Sequence, residues 1–257
     1  MNKDIEIITI KALSDNYIWL LRNHSKKLTA VIDPAEAEPV EKILLKNNWW
    51  LNQIINTHHH YDHTNGNLKL MEKYNAELIA PKLEQEKIQN ISHLVQEGDI
   101  IDIAGLPAKI LHTPGHTLGH IIYYLHNERI LFAGDTIFSL GCGRVFEGTM
   151  QDMYLSLEKI KKLDPKTTIY CGHEYTESNL NFALEVDPHN NELLNFADRI
   201  LTQKLKSMPT IPTILKDEIN CNPFLRSDNP EIAKNIGHRK MSAQEIFKFL
   251  REMKDNF

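Results

Sequence analysis

The chain has 257 residues, 42% apolar and 25% charged, the balance of an ordinary soluble globular protein with room for one large or two smaller domains. A formal charge of −5 excludes the basic face that general nucleic-acid binding needs, and no apolar run approaches the roughly 18 residues required to cross a bilayer. Cys142, Cys171 and Cys221 are odd in number and form no CxxC pair, which suits a reducing cytoplasm without a disulfide framework. The opening residues, Met1 to Ile10, alternate like a strand and lack the apolar core of a signal peptide. The expectation is a cytoplasmic, monomeric protein that acts on a small molecule, without membrane or nucleic-acid partners.

Residues 5–11, 17–22 and 28–32 read as consecutive strands separated by turn residues such as Ser14-Asp15-Asn16. Residues 36–47 read as a helix, and 51–57 as a short buried strand that runs into THHHYDH at 57–63. A helix follows over about 64–74, and apolar runs then recur at 78–80, 108–111, 121–125, 130–133 and 168–171. A helical stretch, about 150–162, lies between the last two. After about residue 174 the strand signal fades, and helical spacing appears at 193–205 and 246–250 with Pro209, Pro212, Pro223 and Pro230 between them. The pattern predicts an α/β or layered α+β protein, with a first domain of residues 1–173 and a mostly α-helical second domain of 174–257.

THHHYDH concentrates four histidines and an aspartate in seven positions. If the backbone stays extended through Tyr61, side chains alternate. His58, His60 and Asp62 then face one way, and His59 and Tyr61 the other. His63 joins the first set where the chain turns into the next helix. The bland alternative is a polar surface loop, but ligand-type side chains at this density are what zinc or iron would use. His59 is left as a bystander or a support. Three other apolar runs stop in the same manner, at Gly115-His116, Gly134-Asp135 and Gly172-His173: a glycine lets the backbone turn and a ligand-type residue appears at once. His58, His60, Asp62, His63, His116, Asp135 and His173 make seven candidate ligands. Seven exceed what one catalytic zinc takes. They suit two cations about 3.5–4 Å apart with one carboxylate between them.

The pattern THxHxDH, Gly-His, Gly-Asp, Gly-His resembles the metallo-β-lactamase superfamily. The resemblance implies a four-layer αββα sandwich, with His58, His60 and His116 on one metal, Asp62, His63 and His173 on the other, and Asp135 bridging. Further segments narrow it: Leu13-Ser14-Asp15-Asn16-Tyr17, the run from Gly141 to Thr149, Gly172-His173-Glu174-Tyr175-Thr176, Asn222-Pro223-Phe224-Leu225-Arg226 and the ending from Arg251 to Phe257. Together they resemble the glyoxalase II family, the hydroxyacylglutathione hydrolases, over nearly the whole chain. That resemblance implies hydrolysis of S-D-lactoylglutathione and other S-2-hydroxyacylglutathiones to glutathione and D-lactate. It implies two divalent cations, zinc most simply, with iron or manganese able to share the site. It also assigns the glutathione moiety to Arg144, Phe146, Tyr175, Arg251 and Lys254. Two of these depart from the family pattern, since Arg144 stands where the family has Lys and Phe146 where it has Tyr, so Phe146 brings no phenol hydroxyl.

The chemistry agrees with this assignment. A cation-held water ionises near neutrality and Asp62 is positioned to orient it. The leaving thiol has a pKa of about 8.5, so it departs without a strong general acid. A rival Cys171–His173 nucleophile conflicts with the apolar strand around Cys171. A glutathione persulfide dioxygenase with one iron is the alternative enzyme, and the complete second set of ligands argues against it. A β-lactamase would call for export, which nothing in the sequence marks.

Overall fold

The computed structural model describes residues 4–257, so the first three residues of the opening strand reading lie outside the described residues. The chain packs as two compact units, one of residues 4–112 with 119–134, the other of 113–118 with 135–257. The sequence boundary at 173/174 follows composition, whereas this division follows packing.

In the first unit, β1 (Ile5–Ala12), β2 (Asn16–Asn23) and β3 (Leu28–Ile32) form an antiparallel meander in which Ile8 faces Leu20 and Leu20 faces Val31. Every residue of β2 is buried, as in a strand covered on both faces. From β3 the sheet continues in parallel through β4 (Gln53–Ile55), β5 (Glu77–Pro81) and β6 (His93–Val95). Parallel neighbours need crossovers, and α1 (Ala37–Asn47) supplies the first. Its Val40 and Leu44, one turn apart, are fully buried, and it stops at Asn48 in the left-handed region. These side chains join Leu20, Val31, Ile54 and Leu70 in one core. Four antiparallel strands complete the unit: β7 (Ile100–Ile103), β8 (Leu106–His112), β9 (Ile121–Leu125) and β10 (Ile130–Gly134).

The extended run expected through Tyr61 does not form. β4 ends at Ile55, the chain bends at Thr57 and His58, and α2 (Tyr61–Thr64) begins directly after His60. The buried Asp33 carboxylate captures both the backbone N–H and the hydroxyl of Thr57, and the His63 N–H returns to the His60 carbonyl at 2.9 Å. These bonds turn the backbone before alternation can continue. The helix expected over 64–74 is likewise divided, because Gly66 breaks off to donate to Pro34 O before α3 (Asn67–Tyr74) starts.

The second unit opens on a tight hairpin of β11 (Ile137–Phe138) and β12 (Gly141–Cys142). α4 (Met150–Lys161) starts at a Thr149–Asp152 capping box, and β13 (Thr168–Cys171) pairs antiparallel with β14 (Thr213–Ile214). The helices α5 (Thr176–Val186), α6 (Asn191–Leu205), α7 (Leu215–Cys221), α8 (Pro230–Asn235) and α9 (Ala243–Asp255) make up most of the remainder. Leu180 of α5 and Leu193, Phe196 and Ile200 of α6 share a core with Cys221 at the end of α7. Among the described residues, no helix is long and apolar enough to cross a membrane.

Candidate metal centre

The first unit brings four of the expected ligands together at the ends of parallel strands. Asp33 follows β3 with φ 49 and its side chain is buried. Its Oδ1 accepts the Thr57 N–H at 2.8 Å and its Oδ2 the Thr57 hydroxyl at 2.7 Å. The one hydroxyl proton of Thr57 is thereby committed, so the 3.0 Å contact from Thr57 Oγ1 to His58 Nδ1 requires the imidazole to donate. That leaves the His58 Nε2 lone pair facing His60 Nδ1 at 3.0 Å. Asp33 Oδ2 also lies 3.1 Å from His63 Nδ1, and the other nitrogen of that ring, Nε2, stands 3.5 Å from Asp62 Oδ2. Asp62 is held in turn by Asn16, whose Nδ2 donates to its Oδ2 at 3.0 Å and to its backbone carbonyl at 3.1 Å.

One buried carboxylate thus fixes the His58 ring through Thr57 and lies beside the His63 ring, as partners of metal-ligating histidines commonly do. Asp33, His58 and His63 offer ligand atoms within 4.8 Å of one another. His59 points elsewhere, in a short contact to the fully buried Glu84, whose Oε1 accepts the Gly119 N–H at 3.0 Å. His120 is also fully buried and stacks on His58 with ring centroids 4.9 Å apart.

The second unit holds the other three. His116 Nδ1 lies 2.9 Å from Arg144 O, and since a carbonyl only accepts, Nδ1 carries the proton and Nε2 the lone pair. That Nε2 lies 3.3 Å from Asp135 Oδ2, and His173 Nε2 lies 3.3 Å from the same oxygen. Asp135 Oδ2 is thus equidistant from two imidazole nitrogens. His173 is braced by Tyr175, stacked 4° from parallel at 4.9 Å, and by the Phe138 edge. Two ligands on one tetrahedral zinc at about 2.0–2.1 Å stand roughly 3.3 Å apart. The spacings of 3.0, 3.5, 3.3 and 3.3 Å fit that requirement. Gly115 and Gly134 take the positive φ expected of turning glycines, at 143° and 46°. Gly172, before His173, does not.

Residues 13–173 match the Metallo-beta-lactamase superfamily, and residues 174–257 match the Hydroxyacylglutathione hydrolase C-terminus. A hydroxyacylglutathione hydrolase of Pelagibacter ubique is 48% identical over 98% of this chain and 100% of its own length. One from Rhodopseudomonas palustris strain BisB5 is 44% identical over the full length of both. The chain belongs to the hydroxyacylglutathione hydrolase family. Its fold is that of the metallo-β-lactamases, with a helical C-terminal region. A metallo-beta-lactamase of Staphylococcus aureus subsp. aureus COL superposes with TM-score 0.68 at 22% identity, covering 99% of this chain and 72% of that one. Full-length kinship with hydroxyacylglutathione hydrolases does not favour the dioxygenase alternative.

As a hydroxyacylglutathione hydrolase, the chain carries its expected substrate-side residues in the second unit. Phe146 is exposed and its ring centroid lies 5.2 Å from that of His116. Arg144 is exposed, its Nε 3.8 Å from Asp255 Oδ1. Lys254 donates to the carbonyl and hydroxyl of Ser178, and burial, then the charges of Arg251 and Arg144, lower its pKa. Three cations therefore stand close enough to repel, with the Asp255 carboxylate against two of them. Arg251 differs from its sequence reading. Helical spacing puts it on the face of Lys254, but it is only 4% exposed. Its guanidinium donates to Cys142 O at 2.8 Å and Asp255 at 3.0 Å, and lies over Phe224. Burial pushes the Cys142 thiol up to about 11 and Cys171 higher still, so neither is an available thiolate near neutrality.

Sequence reasoning missed Asp33, Asn16 and Glu84. Asn16 lay inside a motif already noted, and Ile32-Asp33-Pro34 ends a strand before a proline, a signal shared with many ordinary turns.

Proposed function

We propose that this chain hydrolyses the thioester of S-2-hydroxyacylglutathiones, with S-D-lactoylglutathione as main substrate, to release glutathione and D-lactate. The observation that carries the reading is Asp135 Oδ2, shared at 3.3 Å between His116 and His173, in a chain related over its full length to hydroxyacylglutathione hydrolases. We assign His58, His60 and His116 to one divalent cation, Asp62, His63 and His173 to the other, and Asp135 to both. Zinc suits this nitrogen and oxygen donor set, and iron or manganese can share it. When bound, the cations supply hydroxide at neutral pH and polarise the thioester carbonyl.

The chain's own residues do the rest. Asn16 holds Asp62 so that its carboxylate orients the attacking group. Asp33, through the Thr57 hydroxyl, keeps the His58 ring proton on Nδ1 and away from the cation side, and it stands against Nδ1 of His63. Arg144 and Lys254 attract the carboxylates of the glutathione moiety, while Phe146 and Tyr175 offer apolar contact beside His116 and His173. Arg251 contributes from behind, through the Cys142 carbonyl. Residues 1–173 supply the catalytic domain and 174–257 the mostly helical substrate-binding domain of a cytoplasmic monomer. The test compares S-D-lactoylglutathione with an acyl-CoA and a β-lactam on zinc-loaded protein. Preference for the glutathione thioester supports the reading, and preference for either of the others overturns it.

A further inference from the structure

The hairpin from Phe138 to Cys142 is buried, and its turn residue Leu140 sits at φ 58 although it is not a glycine. Buried backbone groups require partners, and here they come from side chains far away in sequence. Asn179 of α5 donates to Ser139 O at 3.0 Å. Asn222, just past α7, donates to Gly141 O at 3.0 Å and Phe138 O at 3.3 Å. The Leu140 N–H donates to Glu218 Oε2 at 2.8 Å, and Arg251 of α9 donates to Cys142 O. Glu218 is fully buried and gathers further donors: Thr213 Oγ1 at 2.7 Å on Oε1 and Asn222 Nδ2 at 3.0 Å on Oε2. The next residues carry the consequence. Gly143 passes so close to Asp135 O that a Cβ would collide with it, and Arg144 presents the carbonyl that receives His116 Nδ1–H.

We infer that Glu218 is a positioning residue for substrate binding: with Asn222 and Asn179 it holds the 138–142 turn in its strained form and so aims Arg144 and Phe146 at the glutathione moiety. The inference rests on the thioesterase reading above. It also gives a role to Asn222, the first residue of a motif that the metal and substrate residues leave unused. The Glu218 carboxyl suits the position because its Oε2 accepts from both the Leu140 N–H and the Asn222 NH2, groups that can only donate. Leucine is of similar size but accepts no hydrogen bond, so the Leu140 N–H and the Asn222 NH2 both lose this partner. The turn then loses a bond it needs to remain in the left-handed region. Asn179 fills the space beside Gly141 where a Cβ would lie, so the turn has no room to relax toward α5.

The test uses full-length, zinc-loaded Glu218→Leu, with Asn179→Ala as a second variant that removes the Ser139 bond and the side chain packed beside Gly141. KM for S-D-lactoylglutathione is expected to rise about tenfold in the first and a fewfold in the second, with kcat within about threefold of wild type. Activity on S-lactoylcysteamine, which lacks the peptide arms of glutathione, is expected to stay within twofold. The amide of Leu140 is expected to exchange faster in both variants. An unchanged KM, or equal losses on both thioesters, overturns the inference, since either leaves the two residues with a general structural role. If Glu218→Leu does not fold, Asn179→Ala carries the same readouts. If wild-type protein hydrolyses no glutathione thioester, the functional reading fails separately. Amide exchange still decides the positioning role, and unaltered exchange at Leu140 overturns it.

Discussion

The two halves of the ligand set are built in opposite ways. In the first unit four candidate ligands fall between His58 and His63, and one buried carboxylate, Asp33 at the end of β3, fixes the His58 ring through Thr57 and stands 3.1 Å from the His63 ring. In the second unit His116, Asp135 and His173 come from three separate segments, and the loop that steers His116 is itself held by side chains of α5, α7 and α9. The first half is preorganised locally. The second depends on the helical region that also carries Lys254. A binding loop tied to distant helices lets substrate contacts evolve without disturbing the compact metal loop, one physical reason for appending helices to this fold.

The largest effect is expected at the shared oxygen. Asp135→Ala removes the partner of both His116 and His173, so kcat should fall by more than the roughly hundredfold that loss of a supporting partner causes. Metal per chain by elemental analysis should fall with it. Retention of full activity would show that Asp135 is not shared between the two half-sites.

Asp33→Asn is next. Asparagine keeps the shape but brings an NH2 against the Thr57 hydroxyl or the His63 ring, and about 10- to 100-fold in metal affinity should be lost. Chelator competition measures it. The same substitution logic predicts about tenfold for His59→Ala, because His59 contacts Glu84 while His60 faces the His58 ring, against a far larger loss for His60→Ala. Equal losses at His59 and His60 would erase the distinction between ligand and support.

These two histidines also show what could be read from the chain alone. Alternation sets His60 apart from His59, and the structure puts His60 beside His58 and His59 on Glu84, yet the backbone is not extended there; α2 begins at Tyr61, and Asp33 imposes the bend. The grouping survives because a turn into a helix keeps Asp62 and His63 near His58. The strand-end residues His116, Asp135 and His173 were legible as candidates because each closes an apolar run. Arg251 was legible as a helix-face cation but not as a buried one, since spacing along α9 does not say what covers that face. β6, β7, the hairpin, α5, α7 and α8 carry short or weakly periodic patterns, and long-range packing decides them.

On the substrate side, Arg144→Ala with Lys254→Ala should raise KM at least about tenfold and leave kcat largely intact. Charge-assisted bonds to a remote part of the substrate act alike in ground and transition states. Steady-state kinetics at low and high salt check this, since the double variant should also lose most of the salt dependence of KM. The smallest effect concerns Glu218, where burial outweighs its hydrogen bonds and lifts the carboxyl from 4.5 to about 7. The folded protein then holds a proton that the unfolded chain releases, so this group lowers stability as pH rises from about 4.5 to about 7. Relative to Glu218→Gln, the wild-type melting temperature should fall by a few degrees across that window and then level off. A constant difference would show that Glu218 does not titrate there.

The account's central claim is that the compact half-site and the dispersed half-site serve one dinuclear centre. Zinc titrated into chelator-stripped protein, with S-D-lactoylglutathione hydrolysis followed at each addition, tests it directly. The account predicts activity that reaches its maximum at two equivalents per chain; a maximum at one equivalent would contradict it.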